Sequence, residues 1–368
     1  MKKIIKRKIN SLYIHIPFCE KICPYCDFTK VLANSDSENK YIQEILKDLD
    51  YFYQNKVKFK TIYIGGGTPS ILNCANLENL LVKTSKLLKF GGEFTVELNP
   101  ESITKSKLKL LKKYEVNRIS IGIQSFNSKI LEQIDRSYSI NYYDLIALAR
   151  KYFKNINVDL IYGFHDQTFE DFKDDIDQFL KLKIDHISAY SLSINKGTLF
   201  YNHKYKEVED DYSRELYDYM LQKLRENGFE RYEVSNFARN SKKSKHNLTY
   251  WQNDFYYGIG IGSHGYVDNI RYNISANLRK YLNGERSIEK EVVDHNALKE
   301  YFLITNLRLS KGFSLKKYKK IFNEDFLATH QEAIKYLKNN HLIEYNKHYF
   351  RCTDEGIMLL NQVLLRLL

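Results

Sequence analysis

Three thiols within eight residues, Cys19-Glu-Lys-Ile-Cys23-Pro-Tyr-Cys26, are the part of this sequence best fitted to chemistry. Their C-x3-C-x2-C spacing suits a four-iron, four-sulfur cluster held by three thiolates, which leaves one iron open to an outside ligand. An open iron can take the amino and carboxylate groups of S-adenosylmethionine (SAM). An electron passed from the cluster can then break the sulfonium bond and release a deoxyadenosyl radical. A zinc knuckle is the alternative, but it normally needs a fourth Cys or His at local spacing, and Asp27 and Phe28 follow instead. His15 lies nearby on the preceding strand, where its parity with Tyr13 fits an inward structural role equally well.

Further polar and small residues stand at the ends of β-rich runs. Gly65-Gly66-Gly67-Thr68-Pro69 closes one run, and a backbone without side chains can approach a ligand and present N–H and C=O groups to it. Glu97 and Asn99, Gln124 and Asp159 close the next three runs. Carboxylates so placed can accept hydrogen bonds from ribose hydroxyls or an amino group. Each could also serve as a local cap, but four of them at successive strand ends favour a common site.

The elements that must position these residues are legible as alternating patterns. SLYIHI at 11–16, KTIYI at 60–64, EFTVEL at 93–98, RISIGI at 118–123, INVDLI at 156–161 and HISAYS at 186–191 read as strands. Ile42, Ile45, Leu46 and Leu49 repeat at the spacing of an amphipathic helix, so residues 41–53 form a crossover. Six such units predict an α/β fold with a parallel sheet, a partial (βα)6 barrel of TIM type whose functional loops follow the carboxyl ends of the strands. The expected division is a basic arm at 1–10, the barrel at 11–230, a connecting region at 231–290 and a smaller domain at 291–368. The last reads as helices, a short β pair around LIEYNKHYFRCT and a final helix, a winged-helix-like arrangement. A winged helix can bind nucleic acid or act as a structural cap.

A chain of 368 residues with 43% apolar content can build a full core and a second domain. It contains no run of about 18 apolar residues, and the opening MKKIIKRKIN lacks the apolar stretch of a signal peptide. The expected location is cytoplasmic, with the basic arm as the one route to an acidic membrane surface. The net charge of +12 would suit an anionic partner, but outside Lys2 to Lys8 the lysines are scattered, so nucleic acid is not the expected ligand. Cys74 and Cys352 stand alone and read as ordinary residues, not as part of a disulfide framework.

The segments YIHIPFCEKICPYCDF, YIGGGTPS, VELNP, RISIGIQSFN, VDLIYG and YEVSNFA together resemble the family of oxygen-independent coproporphyrinogen oxidases and their relatives. The likeness runs from Tyr13 to the C-terminus. It implies that Tyr13, Tyr25, Gly66, Gly67, Thr68, Glu97, Gln124, Arg136 and Asp159 contact SAM, and that Cys19, Cys23 and Cys26 hold the 4Fe-4S cluster. It also implies a partial barrel with a C-terminal accessory domain, in agreement with the strand count.

Two features point away from the oxidase and toward the heme-chaperone branch of that family. The oxidase pattern has a further cysteine at the position of Phe28 and a longer segment before the first strand, where this chain has ten residues. His246-Asn247-Leu248-Thr249-Tyr250-Trp251 matches the branch's HNxxYW signature, which is linked to heme. A histidine can ligate heme iron and aromatic rings can pack on a porphyrin face, so His246, Asn247, Tyr250 and Trp251 are the heme candidates. For His246 the competing role is that of a capping or core histidine. Gly260-Ile-Gly262-Ser-His-Gly265 matches GxGxxG by coincidence and reads as a loop over the barrel mouth, with His264 a weaker heme candidate. The chain departs from the family at Asp135, Tyr138, Phe164 and His165, where Gly, His, Leu and Pro are usual.

Three functions therefore compete: a heme chaperone using a cluster and SAM, a radical enzyme acting on coproporphyrinogen or another unreactive C–H bond, and a nucleic-acid-binding protein. The first is the expected one. Its partners would be heme, heme-accepting proteins, some of them at the membrane, an electron donor for the cluster, and a second copy of the chain in a homodimer.

Overall fold

Alternation of side chains organises this fold: along most of each main strand, apolar residues face the helices and polar residues the other way. The computed structural model describes residues 9–136 and 139–368. The basic arm up to Lys8 and the departure at Tyr138 lie outside the described residues.

Six parallel strands, β1 (Ser11–Ile16), β2 (Phe59–Gly66), β3 (Leu88–Leu98), β4 (Arg118–Gln124), β5 (Ile156–Tyr162) and β6 (His186–Ser191), lie in sequence order. They are joined by α1 (Ser35–Gln54), α2 (Cys74–Ser85), α3 (Lys105–Lys113), α4 (Tyr142–Arg150) and α5 (Phe169–Lys181), and α6 (Asp210–Glu226) follows β6. Leu12, Ile14, Ile62, Ile64, Val96, Ile119, Ile121 and Val158 are fully buried toward these helices. Apolar area buried in this way is the main stabilising contribution to the sheet–helix interface. The helices start where their caps allow: Asn34 accepts from the Ser37 N–H, and Thr168 and Asp171 form a capping box at α5.

The sheet does not close into a barrel. Beyond β6 it adds β7 (Glu230–Arg231) and β8 (Asn236–Ala238), both in antiparallel pairings. On the other side, β9 (Tyr256–Ile259) pairs in parallel with β1 and leads into an antiparallel meander of β10 (His264–Val267), β11 (Ile270–Ile274) and β12 (Ile288–Val292). Where the sequence predicts a glycine-rich loop, the structure adds this seventh parallel strand. The glycines serve the pairing: a Cβ on Gly258 would lie 2.0 Å from the His264 carbonyl oxygen, and one on Gly265 would meet the Tyr272 ring. The Gly260–Ser263 turn packs against α1 and the cysteine loop, where a Cβ on Gly262 would meet Thr29.

Between β8 and β9 runs α7 (Lys245–Trp251). After residue 293 a second apolar cluster forms around Phe302, Leu303, Tyr318, Leu337 and Phe350. Its elements are α8 (His295–Asn306), β13 (Phe313–Ser314), α9 (Leu315–Phe322), α10 (Gln331–Asn339), β14 (Ile343–Tyr345), β15 (Tyr349–Cys352) and α11 (Leu360–Leu367). The first three of these helices and the three-stranded antiparallel sheet make a winged-helix-like unit, and α11 follows it as a fourth helix. Among the described residues no helix is long and apolar enough to cross a membrane.

Candidate functional site

The polar faces of the strands meet in cross-strand rows. Ser11 stands opposite Thr61, Tyr13 opposite Tyr63, Glu97 opposite Ser120, and Asp159 opposite both Gly122 and Ser188. At the carboxyl ends these rows open into a cavity of about 350 Å³. Cys19, Cys23, Cys26, Tyr25, Gly66, Gly67, Thr68, Glu97, Gln124, Arg136 and Asp159 all line it. Of the SAM candidates only Tyr13 stands elsewhere, on the wall of a neighbouring cavity.

The cysteine loop is tied down on both flanks. The Val31 and Ala33 N–H groups donate to the carbonyls of Pro17 and Cys19, at 2.8 and 2.9 Å. Across the cavity, the Asn195 amide donates to Asp27 Oδ2 at 2.8 Å, and the Phe200 N–H donates to the Pro24 carbonyl at 3.0 Å. The Thr68 hydroxyl donates to Cys19 Sγ at 3.7 Å, and Lys30 Nζ donates to the Cys26 carbonyl. Burial pushes the Cys19 thiol up and the Cys26 thiol up to about 11, so metal loading here must release protons. Among the described residues no three His, Cys, Asp or Glu side chains gather around the point one metal ion would occupy. His15 is 4% exposed and committed elsewhere. The Tyr13 hydroxyl lies 3.0 Å from its Nδ1 and the Thr29 carbonyl 2.7 Å from its Nε2, which fixes a neutral ring with the proton on Nε2. Burial lowers this imidazole to about 4, so its role is structural.

The glycine turn is held by Glu97. Gly66 donates its N–H to Glu97 Oε2 at 2.9 Å, and the Tyr63 hydroxyl donates to Oε1 at 2.7 Å. Gly66 has φ +115°, and a Cβ there would lie 2.4 Å from the His15 ring. One on Gly67 would press on the Pro17 backbone at 2.7 Å. Burial drives the Glu97 carboxyl up to about 7, and also raises Asp159. Asp159 accepts from the Ser120 hydroxyl at 2.9 Å and the Asn157 amide at 2.7 Å. Asn99 contributes from behind, its amide donating to Thr68 Oγ1 at 3.1 Å. Gln124 adopts φ +72° at an irregularity in the β4–β5 pairing, and its side chain joins the cavity wall.

Arg136 donates to Glu101 Oε2 at 3.4 Å. Burial alone would lower its guanidinium, but Cys23, Tyr25 and Glu101 beside it hold it above its ordinary value. Its Nε is buried without a partner among the described atoms, as is Nε of Arg118, which also lines the cavity. Unmet donors beside two buried carboxyls match a ligand that carries both a carboxylate and an ammonium group. The residues therefore fit SAM.

Of the family departures, Asp135 takes φ +56°, a conformation in which glycine is unstrained. Phe164 is fully buried in the apolar core and His165 is exposed, so neither lines the cavity.

The HNLTYW segment forms α7, set beneath the strand starts. Glu93 accepts the Lys245 and His246 N–H groups at 3.0 and 2.9 Å, while Ser244 caps the helix. His246 is 1% exposed, its Nδ1 2.9 Å from Thr61 Oγ1 and its Nε2 2.7 Å from the Tyr250 hydroxyl. Burial lowers it to about 3, so the ring is neutral. Asn247 lines the cysteine cavity, and His246, Asn247, Tyr250 and Trp251 line a second cavity of about 370 Å³. The two cavities share Phe28, Tyr63, Gly66, Glu97, Tyr190 and Asn247. His264 is exposed on β10, away from both. Sequence reasoning missed Tyr63, Arg118, Ser120 and Tyr190 on the walls. Their only signal was a polar residue at every second place in otherwise apolar strands.

A parallel sheet in this order, with three cysteines after its first strand and polar strand ends around one cavity, defines a radical SAM protein. In agreement, a family model described as the Radical SAM superfamily matches residues 13–179, and one described as the HemN C-terminal domain matches residues 293–359. More narrowly, the chain belongs to the family of the heme chaperone HemW. The heme chaperone HemW of Lactococcus lactis is 38% identical over 97% of this chain and 97% of its own length. That of Bacillus subtilis is 33% identical over 96% and 98%. The solved structure of coproporphyrinogen III oxidase (HemN) from Escherichia coli has TM-score 0.84 over 98% of this chain and 90% of that one. At 19% identity this is a likeness of fold.

Proposed function

We propose that this chain holds a 4Fe-4S cluster on Cys19, Cys23 and Cys26, binds SAM in the adjoining cavity, and carries heme for delivery to recipient proteins. The observation that carries this reading is the junction of two cavities, one lined by the cysteines and one by the HNLTYW segment, through shared wall residues. The cluster, when bound, supplies the electron that SAM chemistry needs.

The chain's own residues do the rest. The Gly66–Thr68 backbone offers close approach, Glu97 and Asp159 accept from amino and ribose groups, and Arg136 and Gln124 orient the ligand. Tyr25 closes the same wall and Tyr13 holds His15 in place behind the glycines. For heme, the rings of Tyr250 and Trp251 and the amide of Asn247 form the contact surface. His246 is in the neutral form that can ligate iron, provided Nε2 exchanges its bond with Tyr250 for the metal. In this reading the barrel at 11–230 carries the cluster and SAM, the connecting region at 231–290 carries heme, and the domain at 291–368 covers the second cavity. An outside electron donor, heme-accepting proteins and a cytoplasmic setting complete it.

Anaerobic reconstitution followed by heme titration of the wild type and His246→Ala tests this function. A Soret band in the wild type, weakened in the variant, is the expected result. A wild type that never acquires the band overturns it. Turnover of coproporphyrinogen to a divinyl product would put the oxidase reading in its place.

A further inference from the structure

The second cavity is walled by the rings of Tyr13, Tyr63, Tyr190, Tyr250 and Trp251, with Phe28, 64% exposed, at its open side. Such walls suit a flat conjugated ligand. Among the described residues that line it there is a single cation, Arg308, because His246 is held neutral by burial.

Arg308 comes from beyond α8 and is brought to the cavity by backbone pairing. Leu309 makes an antiparallel bridge with Glu233, and the Ser310 N–H donates to the Tyr232 carbonyl at 3.1 Å. The guanidinium stands 5.4 Å from the centre of the Trp251 ring, and its charge acts on the Glu233 carboxyl. Beside it, Glu233 is 1% exposed. Its Oε2 accepts from the Ser235 N–H at 3.2 Å, and its Oε1 is buried with no partner. A guanidinium beside a buried carboxyl oxygen with no hydrogen-bond partner, on one cavity wall, is unusual, because buried polar atoms are ordinarily satisfied.

We infer that Arg308 is the specificity-determining residue of this cavity and pairs with a carboxylate at the edge of a flat, conjugated ligand, with Glu233 Oε1 as the second polar anchor. The guanidinium fork matches a carboxylate in two parallel N–H···O bonds. Burial raises the Glu233 carboxyl, so it takes up a proton more readily than a free carboxyl, and a protonated carboxyl donates to an incoming carboxylate where an ionised one would repel it. On the heme-carrying reading above, on which this inference rests, the ligand class is a porphyrin with free propionates, and the cavity discriminates by them.

The experiment uses the full chain with its cluster reconstituted, titrated anaerobically with heme and with heme dimethyl ester, for wild type, Arg308→Gln and Arg308→Lys. The wild type is expected to bind heme at least roughly tenfold more tightly than the diester, the usual gain from a charge-assisted pair. Arg308→Gln should lose that gain for heme and leave the diester unchanged, while Arg308→Lys keeps part of it. Arg308→Gln binding both porphyrins like the wild type overturns the inference and leaves the heme reading intact. Equal weakening toward both also overturns it, because that is the mark of a merely structural role. A wild type that binds neither overturns the heme reading itself.

Discussion

Replacing Glu97 by Gln should change the pH dependence of stability by an amount the structure sets. Burial raises this carboxyl from its ordinary 4.5 to about 7, despite bonds from Tyr63 and Gly66 that favour the charged form. Each tenfold change in proton affinity is worth about 1.4 kcal/mol, so ionised Glu97 costs the native state about 3 kcal/mol. A carboxyl with a raised native value binds a proton in the fold that the unfolded chain has already lost. Stability from this group is therefore fully present below the unfolded value and falls as pH rises through the native value. Glu97→Gln keeps the neutral shape at every pH. Urea unfolding of the cluster-free protein should show similar stability for the two chains near pH 4. Near pH 8 the variant should be more stable by about 3 kcal/mol. Asp175 and Glu233 are also raised by burial, but they contribute to both chains and cancel in the difference, whereas loss of the repulsion between Asp159 and Glu97 adds to the variant's gain at high pH. A wild-type-minus-variant difference that is the same at both pH values would refute the assignment of a strained, buried carboxyl at the glycine turn.

Gly66→Ala places a methyl 2.4 Å from the His15 ring at φ +115°, so it should cost roughly 2 kcal/mol or more in thermal unfolding and abolish SAM binding by equilibrium dialysis. Asp135→Gly relieves a left-handed residue and should raise the denaturation midpoint by an amount worth about 1 kcal/mol, with iron content unchanged; a lower midpoint would contradict it. Glu93→Ala strands the Lys245 and His246 N–H groups and should cost about 1 to 3 kcal/mol in urea unfolding, with a weaker heme Soret band as α7 loosens. A variant as stable as the wild type would remove Glu93 from the support of α7.

Much of this was legible because the physics involved is local. Alternation in runs such as RISIGI announces a strand, and three thiols in eight residues after the first strand single out one loop without any tertiary information. The strand-end residues Glu97, Gln124 and Asp159 could be placed at one site because parallel strands in sequence order bring their ends together. What stayed hidden depends on register and on long-range pairing. Tyr256–Ile259 is a short strand beside glycines, and it joins the sheet only because β1, some 240 residues earlier, offers it a free edge. The HNLTYW segment pointed to heme, but nothing in its letters revealed that His246 lies between Thr61 and Tyr250. Glu93 reads as an ordinary strand residue, yet it accepts the first N–H groups of α7. Arg308 had no motif at all; backbone pairing of Leu309 with Glu233 and of Ser310 with Tyr232 brings it to the second cavity.

The central claim is that one chain joins a cluster site to a heme site. The most direct measurement is a pair of spectra from a single anaerobic preparation: iron–sulfur absorption after reconstitution, then the Soret region on adding heme, in the wild type and in Cys23→Ala. The account expects both features in the wild type, and loss of the iron–sulfur absorption with survival of the Soret band in Cys23→Ala. A wild type that acquires the cluster and shows no Soret band, or a Cys23→Ala chain that keeps its iron, would contradict it.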